Sequence, residues 1–235
     1  MQEQQKIIEM FNQIAPTYDK ANRILSFGVD SSWRKKACER VLKLSVKNGL
    51  DIVDVACGTG DMIVLWQERA EFLHKEIQSI KGIDPSTAML QIAKEKLPKV
   101  EFIEAQAQNL PLKDESVDIL SISYGIRNVI ERSKALQEFA RVLRKDGICV
   151  ILEFTKVEKG GFIAFFRDIY LKKILPFLGS LISNNKSAYR YLPDSIECFL
   201  KQEDLVRELQ DVGFTMLEVQ GLSFDISSMF IAKKI

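Results

Sequence analysis

Apolar positions recur along this chain with two different periods, and the change of period divides it. Over residues 1–46, Ile7, Ile8, Phe11 and Ile14 fall at helical spacing, so this stretch is expected to be mainly helical, broken at Pro16 and Gly28. From residue 50 onward, short apolar runs alternate with amphipathic ones. "LDIVDVA" (50–56) reads as a strand entering a glycine turn, "DMIVLWQERAEFL" as the helix after it, and "IKGID" (80–84) as a second strand. "PSTAMLQIAKEKL" reads as a helix opened by Pro85, whose missing N–H and fixed φ suit a helix start. A third strand is expected at "VEFIEAQ" (100–106) and a fourth at "SVDILSISYG" (116–125). A helix follows at "SKALQEFARVLRK", and an Asp146-Gly147 turn leads into strand "ICVILEF" (148–154).

Strands alternating with helices predict an α/β fold with a parallel, doubly wound sheet. The tail breaks the alternation. "GFTMLEVQGLSF" and "ISSMFIAKK" read as two strands joined by a short turn around Asp225, hence an antiparallel pair. A parallel sheet finished by such a pair, behind an N-terminal helical cap, is the shape of a class I methyltransferase (Rossmann-like). Plain dinucleotide folds usually finish with a parallel strand.

The turn between the first strand and helix is "DVACGTGD", Asp54 to Asp61. Such turns meet their ligand past the carboxyl ends of the central strands. The dinucleotide fingerprint needs a third glycine for close helix–strand packing, and Ile63 stands in its place. Asp61 sits where a pyrophosphate would meet the helix N-terminus, and a carboxylate there repels phosphate while tolerating a cation. S-adenosylmethionine, with a sulfonium, an ammonium and no phosphate, fits the turn better than NAD. Asp84 closes the second strand, where an acidic side chain commonly accepts the ribose hydroxyls of either cofactor.

Composition narrows the picture. The chain has 235 residues, long enough for one large α/β domain, and 46% hydrophobic with 28% charged residues is the balance of a soluble globular protein. A net charge of +1 gives no broad attraction for nucleic acid. Cys38, Cys57, Cys149 and Cys198 form no CxxC and read as small buried hydrophobes in a reducing compartment. His74 is the only histidine, in the charged helix-like run "ERAEFLHKE", so no metal site is expected. The N-terminus lacks the basic and apolar regions of a signal peptide, which predicts a cytoplasmic protein.

"FNQIAPTYDKANRILSFGVDSSWR" (11–34), "DVACGTGD" (54–61), "DPSTAML" (84–90), "NLPLKDESVDILSISYGIRNV" (109–129), "RVLRKDGICVILEF" (141–154) and "YRYLPDSIECF" (189–199) follow one another in the order found in UbiE/MenG-type C-methyltransferases of quinone biosynthesis, which the chain resembles over nearly its whole length. The tail lacks the histidine of that family's common ending. The resemblance implies a single S-adenosylmethionine-dependent methyltransferase domain over 1–235, with a helical cap at 1–46 and a helical lid insertion at 160–200. It implies methylation of a ring carbon of a polyprenyl quinol: demethylmenaquinol is favoured, with a benzoquinol, another small molecule, or cofactor binding without turnover as rivals. It implies cofactor contacts at Asp54, Gly58, Thr59, Gly60, Asp61 and Asp84, at Gln106-Ala107 beside the adenine, and at Ser123.

Methyl transfer needs an electron-rich carbon, which a quinol supplies when a ring hydroxyl loses its proton. Arg127 in "GIRN" is the residue expected to favour that ionised form, with Glu153 as its ion-pair partner or as a base. Asn128 is expected to anchor the loop or a ring oxygen, and Tyr18 to close over the site from the N-terminal helix. Tyr189, Arg190 and Tyr191 are expected on a loop before a helix, walling the ring pocket. "FIAFFRDIYLKKILPFLGSLI" (162–182) is apolar but carries Arg167, Asp168, Lys172, Lys173 and Pro176, so it is too interrupted to span a bilayer. It reads either as a core or dimer-packing helix pair, or as a lid led by Phe162, Phe165 and Phe166 that receives the prenyl tail and touches the inner face of a membrane. A homodimer through the helical region is a further expectation.

Overall fold

The computed structural model describes residues 2–156 and 186–235, with backbone alone for 186–190. Seven strands form one sheet: β1 (Leu50–Val55), β2 (Ile77–Asp84), β3 (Glu101–Glu104), β4 (Val117–Ser123), β5 (Leu143–Glu153), β6 (Phe214–Leu222) and β7 (Ser227–Lys234). Their order across the sheet is β3-β2-β1-β4-β5-β7-β6. The first five are parallel, and β7 runs antiparallel between β5 and β6. This is the expected α/β class I methyltransferase sheet with its antiparallel final pair.

Helices cover both faces, as parallel strands require because their side chains are apolar on both sides. On one face, α2 (Val29–Leu44) and α3 (Asp61–Phe72) pack Trp33, Ala37, Val41, Leu65 and Trp66 onto Ile52, Ile119 and Val150. On the other, α5 (Arg132–Val142) and α7 (Gln202–Asp211) pack Leu136, Phe139, Leu205 and Leu209 onto Val53, Leu120 and Ile151. Two further helices, α4 (Thr87–Lys96) and α6 (Lys186–Glu197), follow β2 and precede α7. The strand order reverses between β1 and β4, which leaves a crevice above their carboxyl ends. The helix α1 (Gln2–Leu25) lies over that crevice, packing Ile14 and Ala15 against Met89 of α4.

Several local expectations are corrected. Pro16 does not break the N-terminal helix, because α1 runs through it. Proline inside a helix removes one backbone bond and costs about 3 kcal/mol, but Ile7, Ile8, Ile14, Ala15, Ala21 and Leu25 are buried along one face, and their burial outweighs that loss. Gly28 does end the run, at φ 75. Pro85 precedes the helix start; Ser86 is the N-cap, its Oγ accepting from the Met89 N–H at 3.2 Å. The Asp146-Gly147 turn is a bulge inside β5, whose pairing with β4 shifts between Val117–Leu143 and Ile119–Ile148. His74 follows the end of α3 in a left-handed conformation and is exposed. Tyr191 stands within α6, not on a loop before a helix. Of the cysteines, Cys38, Cys57 and Cys149 are buried, but Cys198 is exposed.

Gly125, just past β4, sits where the backbone comes closest to the glycine turn. A Cβ there would lie 2.5 Å from Ala56 Cβ and 3.2 Å from Ile122 Cγ1. Gly125→Ala is expected to lower stability by about 1–3 kcal/mol through overpacking. Chemical denaturation of the two proteins side by side measures it; an unchanged midpoint would show that the strand ends can move apart freely.

Candidate active site

The glycine turn is held by one carboxylate. Asp84 Oδ2 accepts the Gly58 N–H at 2.8 Å, and Oδ1 accepts the Ser86 N–H at 2.8 Å. Asp84 thus joins the loop after β1 to the start of α4, and burial pushes its carboxyl up to about 6. Gly60 must be glycine, because it takes φ 85 and a Cβ would meet Leu97 Cδ1 at 3.2 Å. Gly58, at φ 54, has open space where a Cβ would point.

Above this turn lies a cavity of about 80 Å³, lined by Gly58, Asp84, Gln106, Ala107 and Ser123 and roofed by Ile7, Ile8, Phe11 and Tyr18 of α1. The Gln108 amide donates to Gln106 Oε1 at 2.6 Å, fixing that amide at the cavity wall. Among the described residues, neither lysine nor arginine lines this cavity.

The other glycine-turn residues sit around it. Asp54 is buried on the α3 side of the sheet, where Oδ1 accepts from Ser121 Oγ at 2.6 Å, and Ser121 Oγ accepts in turn from the Trp66 indole at 3.0 Å. The Thr59 hydroxyl donates to Asp19 Oδ1 at 2.5 Å. Asp61 pairs with Arg23 at 3.0 Å and with Lys96 at 2.9 Å. These two cations answer its charge, and Asp61 does not stand among the residues lining the cavity.

A second cavity, about 360 Å³, lies on the far side of Phe11, Tyr18 and Tyr124, which line both. Its walls are apolar and aromatic: Met10, Ile14 and Leu25 of α1, Trp33 of α2, Phe154 after β5, and Ile226 before β7. The Tyr124 and Phe154 ring centroids are 4.7 Å apart. The Tyr124 hydroxyl is engaged with Ser227 Oγ at 3.0 Å, and burial raises its pKa. Burial also raises that of Tyr18, so its hydroxyl keeps its proton at neutral pH.

Arg127 lines the second cavity and is closely held. Its Nη1 donates to Glu153 Oε1 at 2.5 Å and to the Tyr124 carbonyl at 2.9 Å, and its Nε donates to Ser195 Oγ at 3.3 Å. Glu153 is its ion-pair partner, fully buried, with its carboxyl pushed up by burial and pulled back by Arg127. Asn128 Oδ1 accepts from the Tyr191 hydroxyl at 2.9 Å, and its carbonyl accepts from the Gln4 amide at 3.1 Å. It therefore ties α6 and α1 to the loop after β4.

The family is readable at this point. Residues 1–234 match the ubiE/COQ5 methyltransferase family. The chain belongs to that family. It is 68% identical over its whole length to the ubiquinone/menaquinone biosynthesis C-methyltransferase UbiE of Campylobacter jejuni, covering all of that protein. It is 39% identical over 96% of its length to the demethylmenaquinone methyltransferase of Thermus thermophilus, again covering all of it. In fold it resembles a S-adenosylmethionine-dependent methyltransferase from Thermotoga maritima, with a TM-score of 0.62 at 18% identity over 97% of this chain and 100% of that one.

For a methyltransferase of this family, the structure brings Gly58, Asp84, Gln106, Ala107, Ser123 and Asn128 together at the smaller cavity, with Tyr18 shared and Arg127 on the larger one. Asp54, Thr59, Gly60 and Asp61 support the turn from outside the cavity wall. Phe162, Phe165, Phe166 and the lid expected over 160–200 fall largely outside the described residues, as do the Tyr189 and Arg190 side chains. No described helix is long and apolar enough to cross a membrane.

The sequence reading missed Asp30, Trp33, Arg34 and Phe154, all on the larger cavity. A signal was present. On α2, Asp30 and Arg34 fall at the same helical spacing as the buried Ala37, Cys38 and Val41, placing two opposite charges inside an apolar stripe.

Asp54 gives this site a pH signature. Burial pushes its carboxyl up to about 7, with the neighbouring Asp84 adding to the rise. A raised carboxyl favours folding fully below its ordinary value near 4, and that advantage is lost as pH climbs through 7. Stability of the wild-type protein should therefore fall between pH 5 and 8, by at most about 3 kcal/mol from this group. In Asp54→Asn the slope should be smaller. Urea unfolding at the two pH values measures it, and equal slopes in both proteins would remove Asp54 as the cause.

Proposed function

We propose that the protein uses S-adenosylmethionine to methylate a ring carbon of a demethylated polyprenyl quinol, converting demethylmenaquinol to menaquinol. The observation that carries this is the pair of abutting cavities: a small one on the glycine turn, edged by Asp84, Gln106 and Ser123, and a large aromatic one, sharing Phe11, Tyr18 and Tyr124. The Campylobacter and Thermus relatives support the acceptor class.

The residues present fit the cofactor. Each Asp84 oxygen accepts one backbone N–H and keeps a lone pair for a ribose hydroxyl. Gly58 presents backbone without a side chain, and the Gln106–Gln108 amides stand where an adenine edge needs polar partners. Among the described residues no lysine or arginine lines this cavity, so a diphosphate in it would be buried without a cation at the wall, at a cost in uncompensated charge. Held there, S-adenosylmethionine would supply an electrophilic methyl group to the ring carbon, with the carbon–sulfur electron pair leaving on S-adenosylhomocysteine and one proton released.

The chain's own residues do the rest. Tyr124 and Phe154, a close pair tilted by 31°, present aromatic walls for a flat ring, and positioning of this kind is worth up to about 7–11 kcal/mol in well-oriented systems. Arg127, fixed by Glu153 and the Tyr124 carbonyl, offers its remaining N–H groups to a ring oxygen. Tyr18 offers a protonated hydroxyl at the boundary between the cavities. The α1 roof keeps water from the transferred methyl group.

Incubation with S-adenosylmethionine and a short-chain demethylmenaquinol should release S-adenosylhomocysteine and give a quinol heavier by one methylene. Demethylated benzoquinol should turn over more slowly. No release with either quinol would end this reading. Asp84→Ala should weaken cofactor binding by about 10–100-fold, the loss expected for hydrogen bonds to a charged acceptor. Because bound ribose favours the ionised carboxylate, affinity should also fall as pH drops through about 6. Calorimetric titration at pH 5 and 8 reads both effects, and equal affinities would place the ribose elsewhere.

A further inference from the structure

The larger cavity holds a second guanidinium, that of Arg34, which is bonded to a side chain lining the smaller cavity alone, whereas Arg127 reaches that cavity only through the Tyr124 carbonyl, whose residue lines both. Arg34, on the second turn of α2, is buried at 7% exposure and lines this cavity. Its Nε donates to Ser123 Oγ at 3.0 Å, and Ser123 lines the smaller cavity. Its Nη1 donates to Asp30 Oδ2. Asp30 is held in turn by Ser26 Oγ at 2.6 Å and by Arg23 at 2.9 Å, so Arg34 is not its only counter-charge.

The two arginines are built alike. Each lies over an aromatic ring of the Tyr124–Phe154 pair, Arg34 at 5.0 Å from the Tyr124 centroid and Arg127 at 5.5 Å from that of Phe154. Each is fixed through Nε and Nη1 to a hydroxyl and a buried carboxylate. In each, Nη2 makes no hydrogen bond among the described residues, leaving donors for something in the cavity. A quinol carries two hydroxyls at opposite ends of its ring. Only ionisation of the one adjacent to the methylated carbon places charge on that carbon.

We propose that Arg34 is a catalytic residue that binds the ring oxygen adjacent to the methylated carbon and favours its ionised form, while Arg127 holds the opposite oxygen. This rests on the quinol reading above. The hydroxyl proton passes to water at the cavity mouth, the carbon accepts the methyl group, and the proton then lost from that carbon restores the hydroxyl. Arg34 gives up no proton of its own.

The charged and titratable groups facing Arg34 are Tyr18 and Arg23 of α1, Asp30 and Cys38 of its own helix, Asp54 of β1, Asp61 of α3, Tyr124, and the Arg127–Glu153 pair. Burial pushes Asp54 up to about 7, so the pH profiles below are also read in an Asp54→Asn background. Asp30 is held below the usual carboxylate range by Ser26 and the two arginines against the opposing effect of burial, and both tyrosines are raised by burial. None of these three titrates near pH 8.

The test uses the whole protein with S-adenosylmethionine, a short-chain demethylmenaquinol, and its two mono-O-methyl ethers, each blocking one hydroxyl. Arg34→Met should lower kcat about 100-fold, the loss typical of one oxyanion donor. It should displace the rising limb of the pH–rate profile upward by about one unit or more, while cofactor affinity is kept. Arg34→Lys, which can still pair with Asp30, should recover most of that displacement. The ether blocked beside the reacting carbon should be inert, and the other ether accepted. On the accepted ether, the loss from Arg127→Met should shrink, whereas that from Arg34→Met should stay the same. Arg34→Met with an unmoved pH profile, its loss tracking only a lowered melting temperature, would overturn the assignment. So would methylation of the adjacent-blocked ether as fast as the quinol. No turnover of the unblocked quinol by the wild type would instead remove the quinol reading itself.

Discussion

The fixing of α1 across the carboxyl ends of β1 and β4 is the constraint on which the other features depend. Without that helix the crevice would be an open groove; with it, there are two cavities and a boundary between them. The contact is made by an apolar face and a line of alternating charges. Lys96 of α4 pairs with Asp61, Asp61 with Arg23, Arg23 with Asp30, and Asp30 with Arg34. Asp19 joins the line by accepting from Thr59 and Lys96. Exposed members such as Lys96–Asp61 contribute little stability each. Their value lies in register: they fix how far α1 sits along the crevice, and so which side chains face the smaller cavity and which the larger.

Buried charge in this protein is paired at every point where it meets the larger cavity. Arg127 and Glu153 form one pair, and Arg34, Asp30 and Arg23 form a linked set. Placing such groups in a low-dielectric wall costs desolvation energy that a hydrophobic wall would avoid. That cost is intelligible if the groups serve the reaction. Each guanidinium on the cavity wall is paired with a carboxylate, so neither stands as an isolated buried charge. On the proposed assignment, these fixed donors would meet an ionising hydroxyl without reorganisation.

The sheet was legible from the chain because its central strands are apolar on both faces and bounded by helix signals. The glycine turn and Asp84 were legible for a related reason, since a left-handed backbone and an acidic strand end each leave a distinct residue type. What escaped depended on tertiary packing. Pro16 reads as a helix break, yet the roof packing carries α1 through it. Asp146-Gly147 reads as a turn, yet the chain is already paired with β4 at Leu143. Asp61 reads as a free carboxylate, because Arg23 and Lys96 lie 38 and 35 residues away along the chain. Asp30 and Arg34 went unassigned although their spacing put them on the buried face of α2.

The division of labour between the cavities also accounts for why Tyr124 keeps a costly backbone. It is a bulky residue at φ 60, a left-handed conformation that costs such a residue of order 1–3 kcal/mol. In that conformation its carbonyl accepts from both Arg127 and Asn128, its hydroxyl reaches Ser227, and its ring takes Arg34 on one contact and Phe154 on another. Its N–H still bonds the Leu152 carbonyl at 2.7 Å, so the residue remains tied to β5. One side chain thus forms the boundary between the two cavities and touches both arginine assemblies. A backbone relaxed to the ordinary region would redirect the ring and the carbonyl together, and both guanidinium groups would lose their alignment at once. Strain held at a single residue is in this way coupled to the placement of both guanidinium groups on the larger cavity.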